Sequence, residues 1–229
     1  MRTIWIEEQL KKACPDIHLS CISCSVSIQG FQEDLWKLVD AKSQEIMENL
    51  TIEEIRHNPN IAAAREAYKA CGKDPARYRL SAEALLRRVV SGKGLYQINN
   101  VVDLLNLVSI STGFSIGGYD DDKIVGDIVM GIGRPYEPYN GLGRGEMNIE
   151  GMPVFRDEKG SFGTSTSDSE RTGVSENTRR FLMVIVSYQS IKMLAEATQM
   201  AIKYLKEFAE GKNVEAVIVP QCTQRKNGV

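Results

Sequence analysis

Residues 17–28 (IHLSCISCSVSI) alternate small and β-favouring side chains with a rough period of two and stop at Gly30, the pattern of a strand. Leu35, Leu38, Val39, Ile46 and Leu50 then fall at helical spacing and mark one apolar face of an amphipathic helix. Asn58-Pro59-Asn60 breaks the chain, and 61–71 reads as a helix stopped by Gly72, which tolerates the left-handed conformation after a last turn. Ser81 offers a hydroxyl to cap a helix over 82–90, closed by Gly92. A further helix is predicted over Asn100–Thr112, with Val101, Leu104, Leu105 and Val108 inward and Gly113 after it.

The texture then changes. Glycine recurs at short intervals from Gly117 to Gly163, and β-favouring runs at 124–132, 153–156 and 181–188 are the predicted strands. From Ser190 to Ala209, Ile191, Leu194, Ala195, Thr198, Ala201, Ile202, Leu205 and Phe208 form an unbroken stripe, opposed by Lys192, Glu196, Lys203 and Glu207. A last strand over 214–219 ends at Pro220, and the polar tail to Val229 is expected to fray. Strands and helices do not alternate as in a doubly wound fold. The pattern predicts an α+β fold, with mixed or antiparallel sheets packed against helices and a long C-terminal amphipathic helix. No repeat or linker divides it, so 1–229 is expected to be a single domain.

Charge narrows the functions. With 28 Lys and Arg against 30 Asp and Glu, the formal charge of −2 argues against a dedicated sequence-independent nucleic-acid binder, which needs excess cations to displace phosphate counterions. Apolar runs are too short to span a bilayer. Glu7 and Glu8 arrive before any apolar signal region develops, and five cysteines, an odd number, suggest reduced thiols. The expectation is a cytoplasmic protein without a membrane partner.

Several constellations fail as chemistry. Cys14, His18, Cys21 and Cys24 have the ligand types of a zinc site, but in a strand His18 and Cys24 share a face that Cys21 does not, so no metal is expected. The two histidines, His18 and His57, are remote from the Gly-rich half, which disfavours a histidine-assisted nucleophile. The glycines at 131–133 and 141–145 precede strand and turn, not a helix, and so read as hairpin turns, not phosphate loops. No cofactor is implied.

Two segments keep a chemical reading. Between Arg65 and Lys93 eight cations face three acids, with Tyr68 and Tyr78 interleaved and Tyr96 following. Arg77, Arg79, Arg87, Arg88 and Lys93 are the RNA-facing candidates, against the simpler reading of a solvated helix face. The run from Gly163 to Thr172 carries six hydroxyls, two carboxylates and a guanidinium, enough to orient water against an ester carbonyl. It reads equally as a surface loop kept soluble by its composition.

Val102-Asp103-Leu104-Leu105-Asn106, Thr112-Gly113, then Tyr119-Asp120-Asp121-Asp122-Lys123-Ile124 and Gly126 resemble the B3/B4 domain, the editing domain of the phenylalanyl-tRNA synthetase β subunit. The register continues through Gly151, Asp157, Gly160, Asp168–Glu170, Val174 and Thr178, so the likeness covers roughly 64–188. Upstream, Asp74-Pro75-Ala76-Arg77-Tyr78 and 82–88 resemble free-standing members of the family. The resemblance implies a B3/B4-like fold and a tRNA-related role, with no room for a ligase core. In the family this domain hydrolyses tyrosine wrongly attached to the phenylalanine tRNA. Asn106, Gly113, Asp120, Glu170 and Thr178 match the family pattern. Gly117 stands where that pattern has a pocket histidine, Ser165 and Asp168 where it has glycines, and Val184 where it has a glutamate.

These observations lead to two expectations. One is a deacylase clearing a mischarged aminoacyl-tRNA. Asp168 or Glu170 would activate water, Ser165, Thr166 and Ser169 would hold the substrate with Asn106 and Gly117, and Arg171 would meet ribose or phosphate. The other is a non-catalytic module binding RNA or an amino-acid-like ligand in the same place. Both require the hydroxyl-rich loop to roof a recess.

Overall fold

The structure is a computed structural model that describes residues 1–189 and 191–219; the expected helix start at Ser190 and the tail beyond Val219 lie outside the described residues. In chain order the main elements are β1 (Ile4–Ile6), α1 (Glu8–Ala13), β2 (His18–Ser25), α2 (Glu33–Asn49), α3 (Pro59–Ala70), α4 (Ser81–Val90) and α5 (Asn100–Thr112). Then follow β3 (Ile116–Asp120), β4 (Ile128–Ile132), β5 (Asn140–Gly141), β6 (Gly145–Glu146), β7 (Pro153–Asp157) and β8 (Gly160–Thr164). Last come β9 (Arg180–Ser187), α6 (Ile191–Phe208) and β10 (Lys212–Val219).

The strands build two four-stranded sheets, β1-β4-β7-β8 and β10-β2-β9-β3, with β5 and β6 as a small separate hairpin. Only the β1–β4 pairing is parallel; β4, β7 and β8, and all of the second sheet, are antiparallel. The fold is therefore α+β with one mixed and one antiparallel sheet. Helix α6 packs on β2 and β9 and against α5, which itself rests on β3. Leu194, Ala197, Ala201, Leu205 and Phe208 are its buried stripe, and Lys192, Glu196, Lys203 and Glu207 face solvent. Among the described residues no helix is long and apolar enough to cross a membrane.

Local chemistry explains the element ends, and corrects some of them. Asn58 caps α3 by accepting from Asn60 N and Ile61 N, and Pro59 occupies the first turn, where no amide donor is needed. Helix α5 stops at Gly113, at φ 77°; a Cβ there would strike the Asn58 side chain, so the same glycine permits both the turn and the cap. Ser81 does not cap α4. It is the first helical residue, and its amide donates to Ser165 O (2.8 Å) of the polar loop. A helix N-terminus is thus completed by a segment more than eighty residues away. The strand expected over 124–132 begins only at Ile128, because 121–123 form a 3-10 turn and Gly126 adopts φ 73°. Strands β1, β3 and β8 are additions that the hydrophobic pattern did not predict.

Candidate functional site

β3 and β8 are edge strands of different sheets, and the seam between them is closed by one side chain. Tyr119 on β3 is fully buried, with its ring edge-on to Phe162 (centroids 5.0 Å apart, planes at 90°) and to Phe155 (6.4 Å). Its hydroxyl lies where a Cβ would stand on Gly117 and on Gly163, so two glycines on facing strands make room for one phenol. Gly117 is backed by Val184 of β9, its partner in register.

The loop after β8 folds over this seam. Thr164, Ser165, Thr166 and Ser169 are buried, and Gly163 bridges to Asp168. The loop holds its own shape: Thr164 Oγ1 accepts from Thr166 N and Ser167 N, and Ser169 N donates to Phe162 O. Its hydroxyls are removed from water and meet tyrosines. Thr166 shares a hydrogen bond with Tyr68 of α3 (3.0 Å), and Tyr139 donates to Ser167 O (2.6 Å). Ser165 Oγ, Tyr119 Oη, Tyr188 Oη and Asp168 Oδ1 are buried without a well-angled partner. Such clustering of unsatisfied groups is unusual in a folded interior, where nearly every buried polar atom is paired.

Asp168 is the electrostatic centre. The residue as a whole is half-buried, but Oδ1 is sealed from solvent, and Oδ2 accepts a long bond from Gly118 N (3.3 Å). Burial pushes its pKa up to about 7, against the opposing pull of the Tyr119 phenol and the Gly118 amide. Tyr119 and Tyr139 are raised in turn, first by burial and then by the Asp168 charge. A carboxyl that changes state near neutrality, beside unpaired hydroxyls, can accept or donate a proton or bind a polar ligand.

The other expected site residues are spread around this centre. Ser165 and Thr166 lie in the tyrosine-lined part. Asn106 is half-buried on α5, and among the described residues no hydrogen bond joins it to the loop. Ser169 caps the 3-10 turn 170–172 through Arg171 N, and Glu170 is exposed. Arg171 is committed to the scaffold: its guanidinium grips Asp157 with two bonds (2.9 and 2.8 Å) and reaches Gly160 O (3.1 Å). Although burial works against it, this grip holds the Asp157 pKa low. Arg171→Ala leaves the Asp157 carboxylate buried without its cation and is expected to cost about 2 kcal/mol in a urea titration. Arg171→Lys should recover less than half of that, since an ammonium cannot reproduce the paired fork.

Ser169, Glu170 and Arg171 instead line an open groove of about 520 Å³ together with Glu137, Tyr139 and Lys159. Tyr139 links that groove to the loop, since it lines the groove and donates to Ser167 O. The tyrosines Tyr139 and Tyr188 were not singled out from the sequence. Their signal was available in kind, because a core tyrosine needs a partner for its hydroxyl.

The basic stretch is largely tied to the protein. Buried Glu83 accepts from Arg65 (2.8 Å) and Arg87 (3.0 Å) and has Arg79 within 3.9 Å. Lys73 donates to Asn148 O and Glu150 O. Arg88 lies over the exposed Tyr96 ring, 3.7 Å from its centroid, while Arg77 and Lys93 face solvent. Among the described residues no group of His, Cys, Asp and Glu could hold a metal ion.

Two sheets joined at a hydroxyl-lined, loop-roofed seam define an α+β domain with an internal polar site. The family model of the B3/4 domain matches residues 63–225, and the chain belongs to that family. It is 26% identical over 111 residues to the phenylalanine–tRNA ligase beta subunit of Psychrobacter arcticus, covering 48% of this chain and 14% of that protein. The chain thus spans about a seventh of that relative's length. The fold matches an N-terminal fragment of the phenylalanyl-tRNA synthetase beta-subunit from Pyrococcus horikoshii, with a TM-score of 0.50 and 17% identity, covering 96% of this chain and 55% of that one.

Proposed function

We propose that this protein acts on aminoacyl-tRNA, hydrolysing the ester of a wrongly charged amino acid at the loop-covered seam around Asp168. The observation that carries the reading is the buried Asp168 carboxylate, with a pKa of about 7 and one unpaired oxygen, at a position that the family resemblance assigns to the pocket. Family membership supplies the tRNA connection. In its ionised form Asp168 takes a proton from a water molecule, whose oxygen attacks the ester carbonyl carbon. The ribose oxygen then leaves and receives that proton from Asp168. The groove lined by Tyr139, Glu170 and Arg171 is the approach for the tRNA 3′ end, with Arg77, Arg88 and Lys93 as outlying phosphate contacts and Arg79 and Arg87 behind them. Ser165, Thr166, Tyr119 and Tyr188 present hydroxyls to the amino-acid side chain, so the preferred substrate is polar. An apolar analogue leaves those groups unpaired and is rejected.

A panel of mischarged tRNAs tests this directly. Ester loss above the buffer rate should occur for a polar amino acid, rising with pH through about 7 as Asp168 ionises. No ester loss for any amino acid rejects it. The second reading is a module that binds the same ligand without hydrolysis, and it is favoured by the commitment of Ser169 and Arg171 to structural bonds. Saturable binding of a non-hydrolysable aminoacyl-adenosine analogue with no turnover is its signature.

A further inference from the structure

Behind the tyrosine wall of the site lies a thiol pair that the hydrolytic reading does not use. Cys14 follows the last residue of α1, and Cys71 follows the last residue of α3. Their sulfurs are 3.9 Å apart, although 57 positions separate them in sequence. Cys14 is buried as a residue but contributes to the lining of an open groove of about 210 Å³ with Pro15, Asp16, Glu66, Ala67 and Tyr188, the route by which a small reagent approaches it. Cys71 is not among the residues lining that groove and is half-buried, the less buried of the two. The remaining described cysteines, Cys21 and Cys24, are buried within β2 with no thiol neighbour to offset burial, which pushes their thiols up to about 12 and 11. Only a thiolate attacks a disulfide, so those two are inert.

We infer that Cys14 and Cys71 are a reversible redox pair that closes into a disulfide on reaction with a small-molecule disulfide, joining α1 to α3. A disulfide needs sulfurs at about 2.05 Å, so each must travel roughly 1 Å, within the reach of side-chain rotation. Both residues cap a helix, their amides bonded to Leu10 O and Ala67 O, and Gly72 turns the chain after Cys71 at φ 90°, so the approach falls to the side chains. Either thiol can donate in the sulfur–sulfur contact, and that contact lowers the Cys14 pKa against the opposing effect of burial, which favours the thiolate on the sulfur at the groove. The Cys14 thiolate attacks one sulfur of the reagent, whose S–S bond breaks and releases one thiolate. The contact with Cys14, the main cause that raises the Cys71 thiol, ends once Cys14 is bound in the mixed disulfide; Cys71 then loses its proton and attacks the Cys14 sulfur, forming the internal bond and releasing the second thiolate. The two protein thiols are oxidised, the reagent is reduced to two thiols, and the two protons pass to those products. Asp16 and Glu66 at the groove make a neutral reagent a better partner than an anionic one such as glutathione disulfide.

The bond would act on the site through shared residues. Tyr188 lines the same groove, and its buried hydroxyl faces Ser165 of the loop. Tyr68, three residues before Cys71, holds Thr166. Tying the end of α3 to α1 therefore fixes the wall against which the loop is packed.

The test is equilibration of the intact chain with hydroxyethyl disulfide, followed by non-reducing proteolysis and mass spectrometry, with melting curves before and after dithiothreitol. The expected result is a peptide joining Cys14 to Cys71 and a melting temperature higher by roughly 5–10 °C, as closing a loop of this length implies, both reversed by dithiothreitol. Near-UV circular dichroism of the tyrosines should change with the link. Cys71→Ser and Cys71→Ala should abolish all three effects and leave Cys14 as a stable mixed disulfide. A parent protein whose Cys14 stays free, stays as the mixed disulfide, or links only to Cys222 overturns the inference, whatever the outcome of the tRNA assay.

Discussion

Asp168→Asn is expected to melt about 5–10 °C above the parent at pH 8 and to hydrolyse a mischarged tRNA at least about 100-fold more slowly. The two effects have one cause. Asp168 has a folded pKa of about 7 against an ordinary 3.8, because burial opposes its charge. Below about pH 4 both the folded and unfolded chains carry the proton, and the site costs nothing. Between about pH 4 and 7 the unfolded chain ionises first, so the parent loses stability as pH rises; above 7 the loss stays constant. A shift of roughly three units corresponds to at most about 4 kcal/mol. An isosteric amide removes that cost without removing volume, so the variant gains about 2–4 kcal/mol at pH 8 and almost nothing at pH 4. The same amide cannot take a proton from water, which removes the base. A stability profile of Asp168→Asn that runs parallel to the parent from pH 4 to 8 would show that the carboxylate is solvated, and the proposed chemistry would fall with it.

Helices α2 to α6 were legible because their signals are local, whereas the six-residue α1 is too short to show a periodic face and was not. The stop at Gly113, the break at Asn58-Pro59-Asn60 and the stripe from Leu194 to Phe208 each depend on neighbours within a turn or two. β3 and β8 were not legible. Their sequences, IGGYD and GSFGT, are poor in β-favouring side chains because the missing side chains are what admits the Tyr119 ring. Ser81 looked like a cap because composition cannot show that a carbonyl from Ser165 arrives to do that work. The site divides in the same way. A dense run of hydroxyls after Phe162 marked the right segment, but the run does not say which members turn inward. Arg171 looked like a ligand for phosphate until Asp157, fourteen residues upstream, was found facing it. Likewise, a net excess of cations between Arg65 and Lys93 conceals that one buried glutamate, Glu83, gathers three of them. Local charge counts partners in sequence, while ion pairs form in space.

The tightness of the seam at Tyr119 gives the second large effect. Gly163→Ala adds one methyl group against the Tyr119 hydroxyl, and the ring cannot retreat, being held edge-on to Phe155 and Phe162 with Gly117 behind the same oxygen. The glycine is not among those with positive φ, so the backbone itself accepts alanine and the cost is steric alone. That overpacking should destabilise by about 2–3 kcal/mol. Tyr119→Phe removes the obstructing atom together with a buried hydroxyl that lacks a well-angled partner, and by itself should be neutral or slightly stabilising. In the double variant the penalty of Gly163→Ala should largely vanish, a coupling of about 2 kcal/mol measurable by urea denaturation of the four proteins. Simple additivity would mean that the phenol moves freely and that the seam is not packed as described. Because the Tyr119 phenol also lowers the Asp168 pKa, Tyr119→Phe should move the rising limb of the hydrolysis profile to higher pH. Gly163→Ala keeps that hydroxyl and should lower stability without displacing the limb upward in the same way. The pair of variants therefore separates what the ring contributes to packing from what its oxygen contributes to the charge state of Asp168.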